Sequence, residues 1–186
     1  HGNTHGFYDF SQFIEGIRHA FSGGGNTATL WEGRVTQFGP TPEVYRQPVD
    51  ATTARVFSDP PMNFLQISKT GDRLMFGDGQ SAKATGKLAE LPDGRYTAGF
   101  RPNHLEIRRH SAEALRFTAR LSVTELTGSE TFVHLDHHGE PWVGVVHGVH
   151  DLPLGEEIPV WLDPRHVYIF GAGGELIVPA AYALAA

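Results

Sequence analysis

The feature that most constrains the fold is a two-residue hydrophobic repeat that begins after Asn63. Its clearest example is the stretch 117–124 (FTARLSVT), in which every second residue is apolar and the others are polar. Successive side chains of a β-strand point to opposite faces, so this alternation predicts a strand with one buried face.

Further short strands are predicted at 73–76, 96–101, 105–108, 131–135, 142–146, 157–162, 166–170 and 175–178. Turn sequences such as LPDG at 91–94 and HHGE at 137–140 separate them. The whole chain carries 22 Gly and 12 Pro, which favours many short elements over long helices. Strands of this length and spacing predict a mainly β fold, either a barrel or a sandwich.

The first third of the sequence has a different pattern. Helical spacing of apolar residues predicts an amphipathic helix over about 10–21, and a Gly-rich joint follows at 22–25. The stretch 29–38 predicts a hairpin that turns at Glu32 and Gly33, and short helices are expected at 42–47 and 50–57. We therefore divide the chain into an unassigned segment 1–25, a second segment 26–57, and a β domain 58–186.

Composition and missing motifs exclude several functions. The net charge of −6 argues against a nucleic-acid partner, and the absence of Cys excludes disulfides, Cys-ligated zinc and thiol catalysis. The sequence contains neither a G-x-x-x-x-G-K-[ST] phosphate-binding loop nor a G-x-S-x-G nucleophile motif. We assign no catalytic residue and no cofactor-binding residue.

A group of histidines raises the question of a metal site. His134, His137 and His138 lie close together in sequence with Asp136 between them, and imidazoles with carboxylates suit zinc or nickel. On a regular strand His137 would point away from the face that His134 and Asp136 share. We therefore expect exposed histidines at a hairpin rim and assign no metal ligands, with a metal site as the less favoured alternative.

Several ordered segments resemble a known family. They are GRVTQFGPTPEVYRQP at 33–48, FSDPPMNFL at 57–65, GFRPNHL at 99–105, VTELTGSET at 123–131 and LDPRHVYIF at 162–170. Together they are similar to the end of the nucleotide-binding domain and the following C-terminal domain of the ATP-binding subunits of ABC sugar importers, of the maltose and glycerol-phosphate type. The resemblance covers about residues 29–178.

The resemblance implies a regulatory domain of the transport-associated oligonucleotide-binding-like (TOBE) kind, a small OB-like or MOP-like β-barrel after the tail of the nucleotide-binding domain at 26–57. It implies a noncatalytic chain that needs no cofactor. The Walker and signature motifs, which hold ATP and Mg²⁺, would precede Gly33 in a longer parent protein. It also implies homodimerisation, permease contacts through the missing domain, and a cytoplasmic location at the inner membrane.

The expected regulatory or interface residues are Arg101, Pro102, Glu125, Gly128, Ser129, Glu130 and Thr131. In the family a Glu follows the Arg-Pro pair, but here Asn103 stands in its place, which removes an expected partner of Arg101. The stretch 121–164 holds eight acidic residues and no Lys or Arg, which marks either a solvated face or a contact face. The alternative function is a sensor for a small ligand or oxyanion, with the hydroxyls of 127–131 as its site.

Overall fold

The computed structural model describes residues 26–31, 34–40, 46–51, 54, 61–148 and 150–181. The predicted helix at 10–21 and most of the two predicted helices between 42 and 57 lie outside the described residues. Within the described part of the chain, no helix combines the length and the apolarity that crossing a bilayer requires.

Strands account for most of the described structure. They are β1 (Asn26–Trp31), β2 (Arg34–Pro40), β3 (Asn63–Thr70), β4 (Arg73–Gly77), β5 (Gln80–Lys83), β6 (Gly94–Phe100), β7 (Leu105–Glu106), β8 (Leu115–Thr127), β9 (Glu130–His137), β10 (Glu140–His147), β11 (Glu157–Leu162), β12 (Tyr168–Phe170) and β13 (Leu176–Val178). The prediction of a mainly β fold is confirmed.

The strands form three antiparallel sheets. β1 and β2 pair as the predicted hairpin, β10-β9-β8-β11-β7 form a five-stranded sheet, and β13-β12-β6-β3-β4-β5 form a six-stranded sheet. In the first half of β8 buried and exposed residues alternate, as its sequence predicts. β3 and β5 are additional to the predicted strands, and neither shows a clean apolar alternation.

The five- and six-stranded sheets share one hydrophobic core. Ile67, Leu74 and Phe76 from the six-stranded sheet belong to the same buried cluster as Phe117 and Trp142 from the five-stranded sheet. The Trp142 side chain is 1% exposed, and its indole N–H donates to the Phe64 carbonyl oxygen at 3.0 Å. An aromatic side chain with a satisfied polar atom thus joins the two sheets.

Asn63 makes a second polar connection between the sheets. Its side-chain amide donates to the Val143 carbonyl oxygen at 2.8 Å and accepts from the Val143 backbone N–H at 2.7 Å. Asn63 is 3% exposed. A buried amide that satisfies both backbone groups of one residue holds the start of β3 against β10.

The segment before β3 also contacts the β domain. The Tyr168 hydroxyl donates to the Arg46 carbonyl oxygen at 2.9 Å, and Asp50 forms an isolated antiparallel bridge with Glu175. Ala54 is fully buried in a small cluster with Phe170. Residues 46–51 and Ala54 therefore pack on the β12–β13 end of the six-stranded sheet.

We predict that Asn63→Ala lowers the free energy of unfolding by about 2–4 kcal/mol, because it leaves the partly buried Val143 N–H and C=O without the partners that Asn63 supplies. Gln66→Ala on the same strand removes only an exposed hydrogen bond to the Thr97 hydroxyl, so it should change stability by less than about 0.5 kcal/mol. Urea unfolding followed by circular dichroism measures both values. Equal effects of the two substitutions would contradict the role given to Asn63.

Candidate functional site

The predicted regulatory residues fall at two separate places. Arg101 and Pro102 follow β6 of the six-stranded sheet, where Pro102 opens a short 3₁₀ turn. Glu125, Gly128, Ser129, Glu130 and Thr131 lie at the far end of the β8–β9 hairpin in the five-stranded sheet. The structure therefore groups the second set and leaves the first set on another sheet.

Arg101 and Pro102 are interior residues. Arg101 is 1% exposed, and its guanidinium carbon lies 5.8 Å from the ring centroid of Tyr168, a distance typical of cation–π contacts. Pro102 is also buried. Both side chains are therefore packed inside the described part of the domain.

Two histidines stack beside Arg101. The rings of His104 and His166 are 4.0 Å apart and almost parallel. Burial lowers the pKa of His104 to about 4, and the repulsion that a protonated His104 would meet from protonated His166, from Arg101 and from protonated His110 adds to this effect, against a weaker opposing effect of Asp163. Burial also lowers the pKa of His166. Both rings are therefore neutral near pH 7.

Asp163 supports the turn that carries His166. Its carboxylate accepts hydrogen bonds from Arg165 Nη2 at 2.7 Å, from Arg165 Nε, and from the Arg165 backbone N–H at 2.9 Å. These bonds hold the pKa of Asp163 far below its usual value, although burial opposes them. A charge-assisted cap of this kind fixes the start of the 3₁₀ turn 164–166.

The end of the β8–β9 hairpin has a different character. β11 pairs with β8 only as far as Arg120, and one further pair of hydrogen bonds ties Leu121 to the loop at 155–156. Beyond that point β8 continues to Thr127 with β9 on its other side. Among the described strands none pairs with residues 122–127 on this open edge.

Apolar side chains are exposed at this open edge. Val123 is 48% exposed and Leu126 is 59% exposed, while Leu154, in the loop that borders Leu121, is 61% exposed. Val123 and Leu126 are three residues apart on β8, so they point to opposite faces of the sheet, but both border its unpaired edge. We call residues 122–127 together with Leu154 the open-edge surface.

The remaining predicted residues frame this hairpin. Glu125 lies 3.6 Å from His134, and Gly128 has a φ of 63°, which the tight turn into β9 requires. Ser129 is exposed and its carbonyl oxygen accepts from the Gly148 backbone N–H.

Thr131, two residues further along, is buried, and its hydroxyl donates to the Gly148 carbonyl oxygen at 2.6 Å. Glu130 is partly exposed beside His147.

The acidic stretch 121–164 is mostly a surface feature. Asp163 is buried, whereas Glu125, Glu130, Asp136, Glu140, Asp151, Glu156 and Glu157 are exposed or partly exposed. Arg120 pairs in register with Asp136 at the border of this stretch. The open-edge surface therefore lies within a negatively charged part of the molecule.

The histidines of the β9–β10 hairpin are arranged differently from the prediction of exposed rim residues. His137 is 4% exposed and stacks on Trp142, whereas the His138 side chain is 70% exposed. Their Nε2 atoms lie 3.0 Å and 2.7 Å from the two different oxygens of Asp78. Sequence reasoning missed Asp78, because it lies about 60 residues away in the β4–β5 turn.

These contacts shift the pKa values of Asp78 and His138. Burial alone would raise the pKa of the Asp78 carboxyl, but the hydrogen bonds from His138 and His137 outweigh it and hold this pKa below its usual value. The hydrogen bond to Asp78 raises the pKa of His138. Asp78 is thus a carboxylate at neutral pH, and both imidazole Nε2–H groups donate to it.

We predict that the chain loses stability as the pH falls from 6.5 to about 4. In this window His104 takes up a proton in the unfolded state but stays neutral in the folded state. Each unit by which the pH falls therefore lowers the free energy of unfolding by up to about 1.4 kcal/mol. His104→Gln should flatten this dependence, whereas His147→Gln, at a 90% exposed side chain, should not. Urea midpoints at several pH values measure it; an unchanged slope in His104→Gln would contradict the assignment.

Comparison with known proteins identifies part of the predicted β domain. Residues 98–170 match the TOBE domain family. The sn-glycerol-3-phosphate import ATP-binding protein UgpC of Brucella abortus biovar 1 (strain 9-941) is 28% identical over 149 residues, which is 78% of this chain and 40% of that protein. UgpC of Chromobacterium violaceum is 30% identical over 146 residues, which is 77% of this chain and 39% of that protein.

Two further proteins are similar. An uncharacterised ABC transporter ATP-binding protein, y4oS of Sinorhizobium fredii, is 32% identical over 137 residues, 72% of this chain and 35% of that protein. A crystal structure of the cytoplasmic molybdate-binding protein ModG with molybdate bound is 17% identical with a TM-score of 0.43, covering 57% of this chain and 94% of that chain.

The similarity to UgpC runs along most of the chain, well beyond the TOBE match itself. The chain spans about two fifths of the length of the UgpC relatives. It belongs to the family of ABC importer ATP-binding subunits, of which it is the regulatory part that carries the TOBE domain.

Proposed function

We propose that this chain is the regulatory and dimerisation region of an ABC importer ATP-binding subunit, and that it is itself noncatalytic. The observation that carries the proposal is the open-edge surface, residues 122–127 with Leu154, in which an unpaired strand edge coincides with exposed apolar side chains. This surface adjoins the Glu125–Thr131 hairpin that the family resemblance points to.

The open edge supplies the main-chain part of such a contact. Unpaired N–H and C=O groups on an edge strand accept a further strand from another chain. A second copy that presents the same edge antiparallel would satisfy these groups about a two-fold axis, the commonest symmetry of homodimers. The surface is self-complementary in this sense, so we assign a second copy of this chain as its partner.

The exposed apolar residues supply the hydrophobic part. Full burial of a Leu side chain contributes about 1.5–3 kcal/mol, and a two-fold axis would count Leu126 and Val123 twice. The surrounding acidic residues oppose close approach, so we expect dimerisation to strengthen with salt. Arg101 and Pro102, which are buried, would act by holding the β6 end in place rather than by touching the partner.

The proposal also covers the longer parent protein to which this chain would belong. Its other domain would bind ATP and Mg²⁺, contact the membrane permease, and couple ATP hydrolysis to uptake of a sugar or a related solute. The chain would then work in the cytoplasm at the inner membrane. We propose no nucleic-acid partner, because the charge of −6 repels a phosphate backbone.

The alternative, an oxyanion sensor at 127–131, has less support. The Thr131 hydroxyl already donates its proton to Gly148, so it is not available to an anion. The carboxylate of Glu130 lies in the same turn and repels one. These two observations favour a protein contact at this hairpin.

We predict that Leu126→Glu raises the dissociation constant of the homodimer at least about tenfold, because it puts a charge on both sides of the axis. Met75→Glu changes a 41% exposed side chain on the other sheet and should leave association unchanged. Sedimentation equilibrium of the chain at several salt concentrations measures the constant. A wild-type chain that stays monomeric at about 100 μM, or equal effects of both substitutions, would contradict the proposal.

A further inference from the structure

We propose that Asp78, His137 and His138 form a binding site for a divalent transition-metal ion, with Zn²⁺ as the best match. The three side chains offer one carboxylate oxygen and two imidazole nitrogens, and these ligand atoms all lie within 4.8 Å of one another. The site lies at the β4–β5 and β9–β10 turns, not on the open-edge surface, so it is independent of the function proposed above.

The backbone brings the three ligands together. Asp78 and Gly79 link β4 to β5, and His138 and Gly139 link β9 to β10. In both turns the two linking residues have positive φ, with 52° at Asp78 and 51° at His138, as in type I′ hairpin turns. These turns direct one carboxylate and one imidazole at each other across the gap between the two sheets.

His137 is held rigidly. Its ring stacks on Trp142 with centroids 4.1 Å apart and planes 10° from parallel, and Phe117 meets it edge-on at 5.6 Å. A ring fixed on two sides by buried aromatics loses little entropy when it binds an ion. His138 has the opposite character, because its exposed side chain leaves the ion a path from solvent.

The spacing suits an ion after a small movement. Zn²⁺ binds imidazole nitrogen and carboxylate oxygen at about 2.0–2.2 Å, which places tetrahedral ligand atoms about 3.3–3.5 Å apart. The two imidazole nitrogens lie 3.0 Å and 2.7 Å from different oxygens of Asp78, and one ligand atom from each residue can be chosen within 4.8 Å of the others. A shift of about 1 Å brings one carboxylate oxygen and both nitrogens to the tetrahedral spacing. The exposed His138 side chain supplies that freedom. Each imidazole would then carry its proton on Nδ1 and bind through Nε2.

The ligand set also selects the metal. Imidazole nitrogens suit zinc, nickel and copper, whereas Mg²⁺ prefers oxygen ligands and keeps its waters. Three protein ligands leave the fourth tetrahedral position to a water molecule. The bound ion would tie the β4–β5 turn to the β9–β10 turn and so couple metal binding to the stability of both sheets.

The test titrates the chain with ZnCl₂ by isothermal calorimetry at pH 7.5 and measures thermal unfolding with and without zinc. We expect one strong site, and a midpoint higher by about 5–10 °C at a zinc concentration 100 times the dissociation constant. MgCl₂ should give neither heat nor a shift. His138→Asn and Asp78→Asn should each weaken zinc binding at least about tenfold, and Asn fits both positive-φ positions.

His147→Asn is the matched control. It removes a surface histidine of the same sheet that lies outside the cluster, so the zinc affinity should remain that of the wild type. This control separates the site from the other histidines of the chain. Zinc binding that is absent in the wild type, or equally strong in wild type, His138→Asn and Asp78→Asn, would overturn the proposal. Because Asp78→Asn and His138→Asn change exposed turn positions, at least one folded variant is available for this comparison.

Discussion

The indole of Trp142 is the contact on which the joint between the two large sheets depends. It belongs to β10 of the five-stranded sheet, yet its N–H donates to Phe64 on β3 of the six-stranded sheet. Phe100 and Phe117 meet its ring edge-on at 5.1 Å and 5.6 Å. Burial of so large a ring contributes several kcal/mol, and the hydrogen bond fixes its orientation. The Trp142 side chain thus contributes both to the shared core and to the alignment of the sheets, and Asn63 adds a second polar link.

The proposed metal site and the open-edge surface lie at different places in the five-stranded sheet. On one side of Trp142 the stacked His137 faces Asp78, so the proposed metal site depends on the indole for its rigid ligand. At the far end of β8 the hairpin extends beyond β11 and keeps its unpaired edge. The fold therefore offers a rigid place suited to an ion and a protruding place suited to another chain.

Much of the β fold could be predicted from sequence, because its strands have one buried face. β8 alternates cleanly, and β11 begins and ends where its apolar pattern does. β3 and β5 lack that signal, because β3 has partly buried residues on both faces and β5 consists of the polar sequence QSAK. β3 and β5 are strands because they pair with neighbouring strands, not because their own sequences alternate between apolar and polar residues.

The sites were less predictable because they depend on contacts between distant segments. The spacing of His137 and His138 gave no reason to add Asp78, which joins them only because both hairpins turn at the same edge of the core. The loss of a Glu beside Arg101 indicated a missing ion pair, whereas the structure places Arg101 against the Tyr168 ring. The family resemblance points to the hairpin at 123–131, whereas its open edge is visible only in the strand pairing.

The most direct test of a single core built around Trp142 is hydrogen exchange of its indole N–H, followed by nuclear magnetic resonance. If this bond joins the sheets, its proton exchanges only when the whole β domain unfolds, and its protection equals the free energy of unfolding from urea. If the proton exchanges much faster than global unfolding allows, the sheets separate independently and the account is contradicted.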